Sequence, residues 1–255
     1  VNDPCLLQAE LCLQKVLVIQ TEGNVPSSER RWRHIKGGYE MASAEEVTGP
    51  AIECSMNGPY LVRKLQNLRN SKGESIATKP VIALCRCGGS AKKPFCDGTH
   101  SKIGFSSQRL SDGSRDKRHD YVGKGITIHD NRSICSHAGF CTERLSSVFR
   151  LKTKPWIDPD GAPIEEVIEA VTRCPSGALS YSLAGVEHRD QDRESAITVS
   201  KDGPYLVTGG IELEDEARAE GASKEHYTLC RCGASKNKPF CDGTHWSVKF
   251  KDDKN

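Results

Sequence analysis

The string LCRCGGSAKKPFCDGTH at 84–100 places Cys85, Cys87, Cys96 and His100 within seventeen residues, and LCRCGASKNKPFCDGTH at 229–245 repeats it with Cys230, Cys232, Cys241 and His245. Thiolates and imidazole are soft donors, so so compact a set points to a bound metal. Cys85 and Cys87 lie two apart, and on extended backbone both thiols face one side. Cys96 and His100 stand at i and i+4, as do Cys241 and His245; on one helical turn that spacing aims thiolate and imidazole the same way. A third group, Cys135, Cys141 and Cys174, lies between the two strings.

The elements that must position these donors are themselves repeated. At an offset of 145 residues, Ile52, Gly58, Pro59, Tyr60, Leu61 and Val62 fall on Ile197, Gly203, Pro204, Tyr205, Leu206 and Val207, and Phe105 falls on Phe250. A duplicated unit therefore covers about 47–122 and again 192–255, with a separate segment between. Asn57-Gly58 and Asp202-Gly203 sit between apolar runs, the signal of a β-hairpin. A further strand, PVIALC or HYTLC, leads into the first cysteine. Glycines and prolines after it predict a loop, and the CDGTH segment predicts a short helical turn. Asp97 and Asp242 would cap free N–H groups there, Gly98 and Gly243 would give backbone room beside a bound group, and Arg86, Lys92, Lys93, Arg231, Lys236 and Lys238 would offset negative charge.

Composition narrows the class. With 36% hydrophobic residues in 255, the chain can build two or three small cores rather than one large one. The net charge of +2 is made of 36 basic and 34 acidic residues spread along the chain, which gives no nucleic-acid stripe. The apolar run LLQAELCLQKVLVI is interrupted by polar residues and too short for a bilayer span, so a soluble chain is expected. Nine of the twelve cysteines fall into the three groups; Cys5, Cys12 and Cys54 are scattered. Such clustering fits metal ligation in a reducing, cytoplasmic compartment better than a disulfide framework. His34, His119, His129, His188 and His226 have no donors at ligand spacing and are expected at the surface. No Ser/His/Asp set, phosphate loop or dinucleotide fingerprint is present, since GGY at 37–39 and VTGGI at 207–211 are isolated glycines.

A Cys3His set also suits a structural zinc ion. The string Cys-x-Cys-x2-Ser-x3-Pro-x-Cys-Asp-Gly-Thr-His nevertheless resembles the CDGSH iron–sulfur (mitoNEET-like) family, twice, with Thr in place of the Ser before His. The resemblance implies two [2Fe–2S] clusters, one held by Cys85, Cys87, Cys96 and His100 and one by Cys230, Cys232, Cys241 and His245. It further implies an α+β fold in which two small, mainly β units pair within the chain as a pseudo-dimer, so that a monomer suffices.

Residues 123–185 read differently. Ile164, Val167, Ile168 and Val171 keep helical spacing and lead to Cys174-Pro175. A C-x5-C pair, a following helix and a distant Cys-Pro resemble single-cluster bacterial ferredoxins. The position midway between Cys135 and Cys141, where a four-iron ferredoxin has a ligand, is Ala138. Three thiols, Cys135, Cys141 and Cys174, suffice for [3Fe–4S], and His137 could complete [4Fe–4S]. The whole reads as an iron–sulfur electron carrier with a redox partner protein and no substrate site. Cluster transfer or redox and pH sensing, and a zinc-binding scaffold, are the alternatives. Residues 1–46 lie outside the three modules and are expected to be disordered or, as MASAEEVTGP at Met41 and KGGYE upstream suggest, a translated leader.

Overall fold

Apolar alternation in this chain produces short strands throughout. The structure, a computed structural model, describes residues 32–35, 38–41, 49–214, 216–253 and 255. Residues 1–47 and 48–255 separate as two units. In the first, β1 (Trp32–Ile35) pairs antiparallel with β2 (Gly38–Met41). The rest of the expectation for residues 1–46 lies outside the described residues.

In the second unit of the molecule, β3 (Ala51–Cys54), β4 (Tyr60–Arg63) and β6 (Val81–Leu84) form an antiparallel meander, and β11 (Ala196–Val199), β12 (Tyr205–Thr208) and β14 (Tyr227–Leu229) repeat it. Asn57 and Asp202 take φ of 50° and 51° in the turns, the left-handed conformation that Asn and Asp tolerate. Two further short strands cross over. β5 (Asn67–Arg69) from the first repeat adds parallel to β11, and β13 (Glu212–Leu213) from the second adds parallel to β3. The two four-stranded sheets therefore run β13-β3-β4-β6 and β14-β12-β11-β5.

That exchange makes the repeats one body. Ile52, Tyr60, Val62, Ile197, Tyr205 and Val207 are fully buried in a single shared core. Each such side chain contributes about 1.5–3 kcal/mol by leaving water. Tyr60 and Tyr205 meet edge to face at its centre, ring centroids 6.0 Å apart.

The middle segment has its own core under a four-stranded antiparallel sheet. β7 (Arg118–Val122), β8 (Thr127–Asn131), β9 (Leu179–Leu183) and β10 (Val186–His188) stack in the order β10-β9-β8-β7. β7 falls inside the 47–122 span that the repeat suggested, yet its ladder is with β8, so it is part of the middle sheet. Among the described residues four short α-helices accompany the strands: α1 (Thr99–Lys102), α2 (Phe140–Arg144), α3 (Ile164–Thr172) and α4 (Thr244–Ser247). α3 buries Val167, Ala170 and Val171 in one core with Ile128, Phe149 and Leu179; of the spaced apolar residues Val167 and Val171 are buried, Ile168 is partly buried and Ile164 is exposed. Among the described residues no helix is long and apolar enough to cross a membrane.

Two histidine expectations are corrected. His129 and His226 are 5% and 2% exposed, not at the surface. His129 lies between Asp120 and Ser182, 2.7 Å from each, and His226 Nδ1 meets Ser223 Oγ and Glu225 Oε2. His129 satisfies both nitrogens with side chains from the neighbouring strands, and His226 its Nδ1 with the nearby Ser223 and Glu225, which ligand spacing does not reveal. The side chain of His34 lies outside the described residues.

Candidate metal centres

β6 delivers Cys85 directly, and the loop after it folds back on the strand. Cys85 N donates to Pro94 O at 2.7 Å and Cys96 N to Ala83 O at 2.8 Å. Cys230 N to Pro239 O and Cys241 N to Thr228 O repeat the closure at 2.8 and 3.0 Å. Within each loop a serine holds the bend: Ser90 Oγ donates to Phe95 O and accepts from Lys92 N, as Ser235 does with Phe240 and Asn237. The result sets the donors in pairs. Cys85 and Cys87 Sγ are 3.9 Å apart, and Cys96 Sγ is 3.3 Å from His100 Nδ1. In the second repeat the distances are 3.8 Å for Cys230 and Cys232 and 3.4 Å from Cys241 Sγ to His245 Nδ1.

Cys96 and His100 do not share a helical turn, contrary to the spacing argument. α1 starts at Thr99, after Cys96 has closed the bridge beside β6, and Gly98 between them takes φ 85°. Gly243 does the same at φ 83°. Glycine is present at these positions because a Cβ would strain the left-handed backbone. Asp97 accepts from Thr99 N and Ala91 N, at 3.1 and 2.9 Å, and so ties the helix start to the loop. Those hydrogen bonds, with the Thr99 hydroxyl foremost, hold its carboxyl well below the usual range. The arginines beside the donors turn away from them. Arg231 is buried, donates to Gly203 O and Ser200 O at 2.7 Å each, and pairs with Asp252. Arg86 lies over the Tyr60 ring and reaches Ser55 O. Lys93 and Lys238 donate to Ser90 O and Ser235 O, while Lys92 and Lys236 are exposed.

Each loop is braced from the opposite repeat, a feature the sequence does not reveal. Tyr60 Oη donates to Cys230 O and Pro239 O, and Tyr205 Oη to Cys85 O and Pro94 O. Lys93 Nζ lies 5.9 Å from the Phe250 ring and Lys238 Nζ 5.9 Å from Phe105. Recurrence of Tyr and Phe at the repeat offset was the available signal, but the offset does not tell which copy each one supports.

The middle thiols surround a cavity of about 210 Å³. A 3₁₀ turn (Arg132–Ile134), capped by the Asn131 side chain, brings in Cys135; α2 carries Cys141; Cys174 follows the end of α3. All three line the cavity, with His137 and Ala138 also on its wall. Burial pushes the Cys135 thiol up and that of Cys141 up to about 12, with the neighbouring cysteines adding to the latter. Buried thiols in that state are neutral until a metal displaces their protons. Ser136 Oγ is buried in the wall without a hydrogen-bond partner, which suits a cavity that receives a polar group. Cys54, the scattered cysteine within the described residues, packs against the shared core, and burial raises it to about 12.

Among the described residues no three His, Cys, Asp or Glu side chains gather as a site for one ion. In each repeat the donors approach one another closely as a Cys–Cys pair and a Cys–His pair. Such pairs would fit two irons bridged by sulfide, with two donors each, and the same four donors would fit one tetrahedral zinc ion. Ten described cysteines are free thiols.

Comparison with known proteins separates the outer segments from the middle one. Residues 57–101 and 202–246 match the iron-binding zinc finger CDGSH-type family, and residues 121–184 match the divergent 4Fe-4S mono-cluster family. Over 61 residues the chain is 43% identical to the uncharacterized protein YjdI of Escherichia coli K12, covering 24% of this chain and 80% of that protein. The O157:H7 form of YjdI matches to the same extent. No solved structure matches.

Proposed function

From a chain that belongs to the CDGSH iron-binding family in its outer parts and to the divergent 4Fe-4S mono-cluster family between them, and is thus an iron–sulfur protein, we propose an electron carrier with three clusters. Its units run about 49–117, 118–188 and 192–255, with β7 and β10 counted in the middle sheet. The observation that supports it is the grouping of donors: two Cys–Cys and two Cys–His pairs in the outer units, and three thiols about one cavity in the middle.

Cys85, Cys87, Cys96 and His100 would hold the first [2Fe–2S] cluster, and Cys230, Cys232, Cys241 and His245 the second. Cys135, Cys141 and Cys174 hold a [3Fe–4S] cluster. The name of the matching family favours a second reading for this site, [4Fe–4S], in which His137 from the cavity wall is the fourth donor. Such clusters, when bound, accept and release single electrons without substrate chemistry. The protein's part is rigidity. The bracing tyrosines fix the loops across the repeats, and backbone N–H groups such as that of Gly89, 3.4 Å from Cys87 Sγ, face the sulfurs. Metal ligation by free thiols suits a reducing compartment such as the cytoplasm. The outer units pair within one chain, so one copy suffices, and the partner is a one-electron redox protein.

Anaerobic titration with dithionite tests this reading. Reversible bleaching and recovery on reoxidation, with the iron retained, supports a carrier. Loss of iron to an apo-protein acceptor without reversible bleaching favours cluster transfer, and a colourless protein containing zinc refutes both.

A further inference from the structure

The middle segment treats the two CDGSH sites unequally. A Cβ built on Gly243 would lie 2.7 Å from His137 Cδ2, whereas at the equivalent Gly98 nothing comes within 4 Å. Both glycines sit in the same CDGTH string, so the difference comes from the neighbour. Cys241 and His245 are 2% and 4% exposed, while Cys96 and His100 are partly exposed. The contacts that hold the neighbour fall where the two copies of the repeat differ. Trp246, in place of Ser101, donates from Nε1 to His137 O at 3.1 Å. Asn237, in place of Lys92, donates from Nδ2 to Ser133 O at 2.9 Å.

We infer that the loop carrying His137 caps the second CDGSH site, so that two identical donor sets act as one closed site, which keeps its metal, and one open site, which exchanges it. The inference rests on reading the donors as iron ligands. A chelator or proton reaches the partly exposed Cys96–His100 pair directly. At Cys241 and His245 the cap must open first, and the rate of loss is scaled by the open fraction. In reductive release, dithionite supplies an electron to each ferric iron, ferrous iron passes to the chelator, sulfide leaves as hydrogen sulfide, and the freed thiolates take up protons from water.

The test uses the full chain loaded with iron and sulfide, mixed anaerobically with dithionite and a ferrous-iron chelator. Iron from the two CDGSH sites should leave in two phases differing by at least about tenfold. Cys96→Ala should remove the fast phase and Cys241→Ala the slow one. The paired change Trp246→Ser and Asn237→Lys, which gives the second copy the residues of the first, should speed the slow phase and leave the fast one unchanged. Trp246 is 65% exposed, so its replacement leaves the core intact. Equal rates in the parent, or a fast phase that vanishes with Cys241→Ala, overturn the cap. If neither cysteine change lowers bound iron, the donor reading itself fails; normal iron with a single rate refutes the cap alone.

Discussion

The hydroxyl of Tyr60 donates to the carbonyl of Cys230 at 2.9 Å, across the interface of the two repeats. Tyr205 returns the contact to Cys85 O, also at 2.9 Å. Each donor loop is therefore supported by the other repeat's tyrosine. Tyr60→Phe should weaken iron retention at the second site and Tyr205→Phe at the first, each costing about 1–3 kcal/mol because buried carbonyls lose a donor. Urea unfolding gives the cost, and iron retention in the presence of Cys96→Ala or Cys241→Ala shows which site is affected. Loss confined to the site in the same repeat as the substitution contradicts the crossed support.

The glycines after the Cys-x-Cys pairs touch each other's sites. A Cβ on Gly88 would stand 2.7 Å from Cys232 O, and one on Gly233 2.5 Å from Cys87 O. Both have positive φ, at 77° and 79°. Gly88→Ala should cost more than the 1–2 kcal/mol, roughly, of left-handed strain alone, and should lower iron content in both repeats. Thermal unfolding with metal analysis decides, and an effect limited to the first repeat counts against the contact.

Much of the donor set was legible in the sequence because ligand chemistry is local. Cys85, Cys87, Cys96 and His100 lie within one loop, and their repetition 145 residues later marks the motif and the duplication together. What escaped depends on contacts distant in sequence. β5 and β13 are three and two residues long and carry no alternation of their own, so their exchange between repeats comes only from the fold. The i and i+4 spacing of Cys96 and His100 suggests one helical turn, whereas the left-handed Gly98 achieves the same proximity without one. The burial of His129 and His226 is not legible because a buried histidine needs only hydrogen-bond partners, and theirs are not spaced as ligands.

Asp130 should make stability depend on pH. Burial raises its carboxyl to about 6 from 3.8, against a lowering by Arg132 and the indole N–H of Trp156, 3.2 Å from Oδ2. The folded chain therefore binds a proton here that the unfolded chain has lost. Stability is fully present below about pH 3.8 and falls as pH rises towards 6, with no further loss from this group above that. Asp130→Asn should remove this dependence and stabilise the chain at neutral pH by up to about 3 kcal/mol. Chemical unfolding at several pH values measures it; an unchanged slope between pH 4 and 6, roughly, contradicts the buried carboxyl.

An imidazole binds iron only through an unprotonated nitrogen, so acid competes for His100 and His245 more readily than for the thiolates. Iron loss should accelerate as pH falls. His100→Cys and His245→Cys should each make one site more acid-stable and lower its reduction potential, since added negative charge opposes reduction. Absorbance decay against pH and a redox titration of each variant check this; variants that bleach as fast as the parent and titrate at its potential show that histidine is not a ligand.

The most direct measurement is iron and acid-labile sulfide per chain in anaerobically purified protein, with zinc determined on the same sample. Two two-iron sites and a three-iron middle site give about seven irons, with a paramagnetic signal from the oxidised middle cluster; a four-iron middle site gives about eight and no such signal. Fewer than about four irons in fully loaded protein, or zinc in place of iron without labile sulfide, contradicts the three-cluster account.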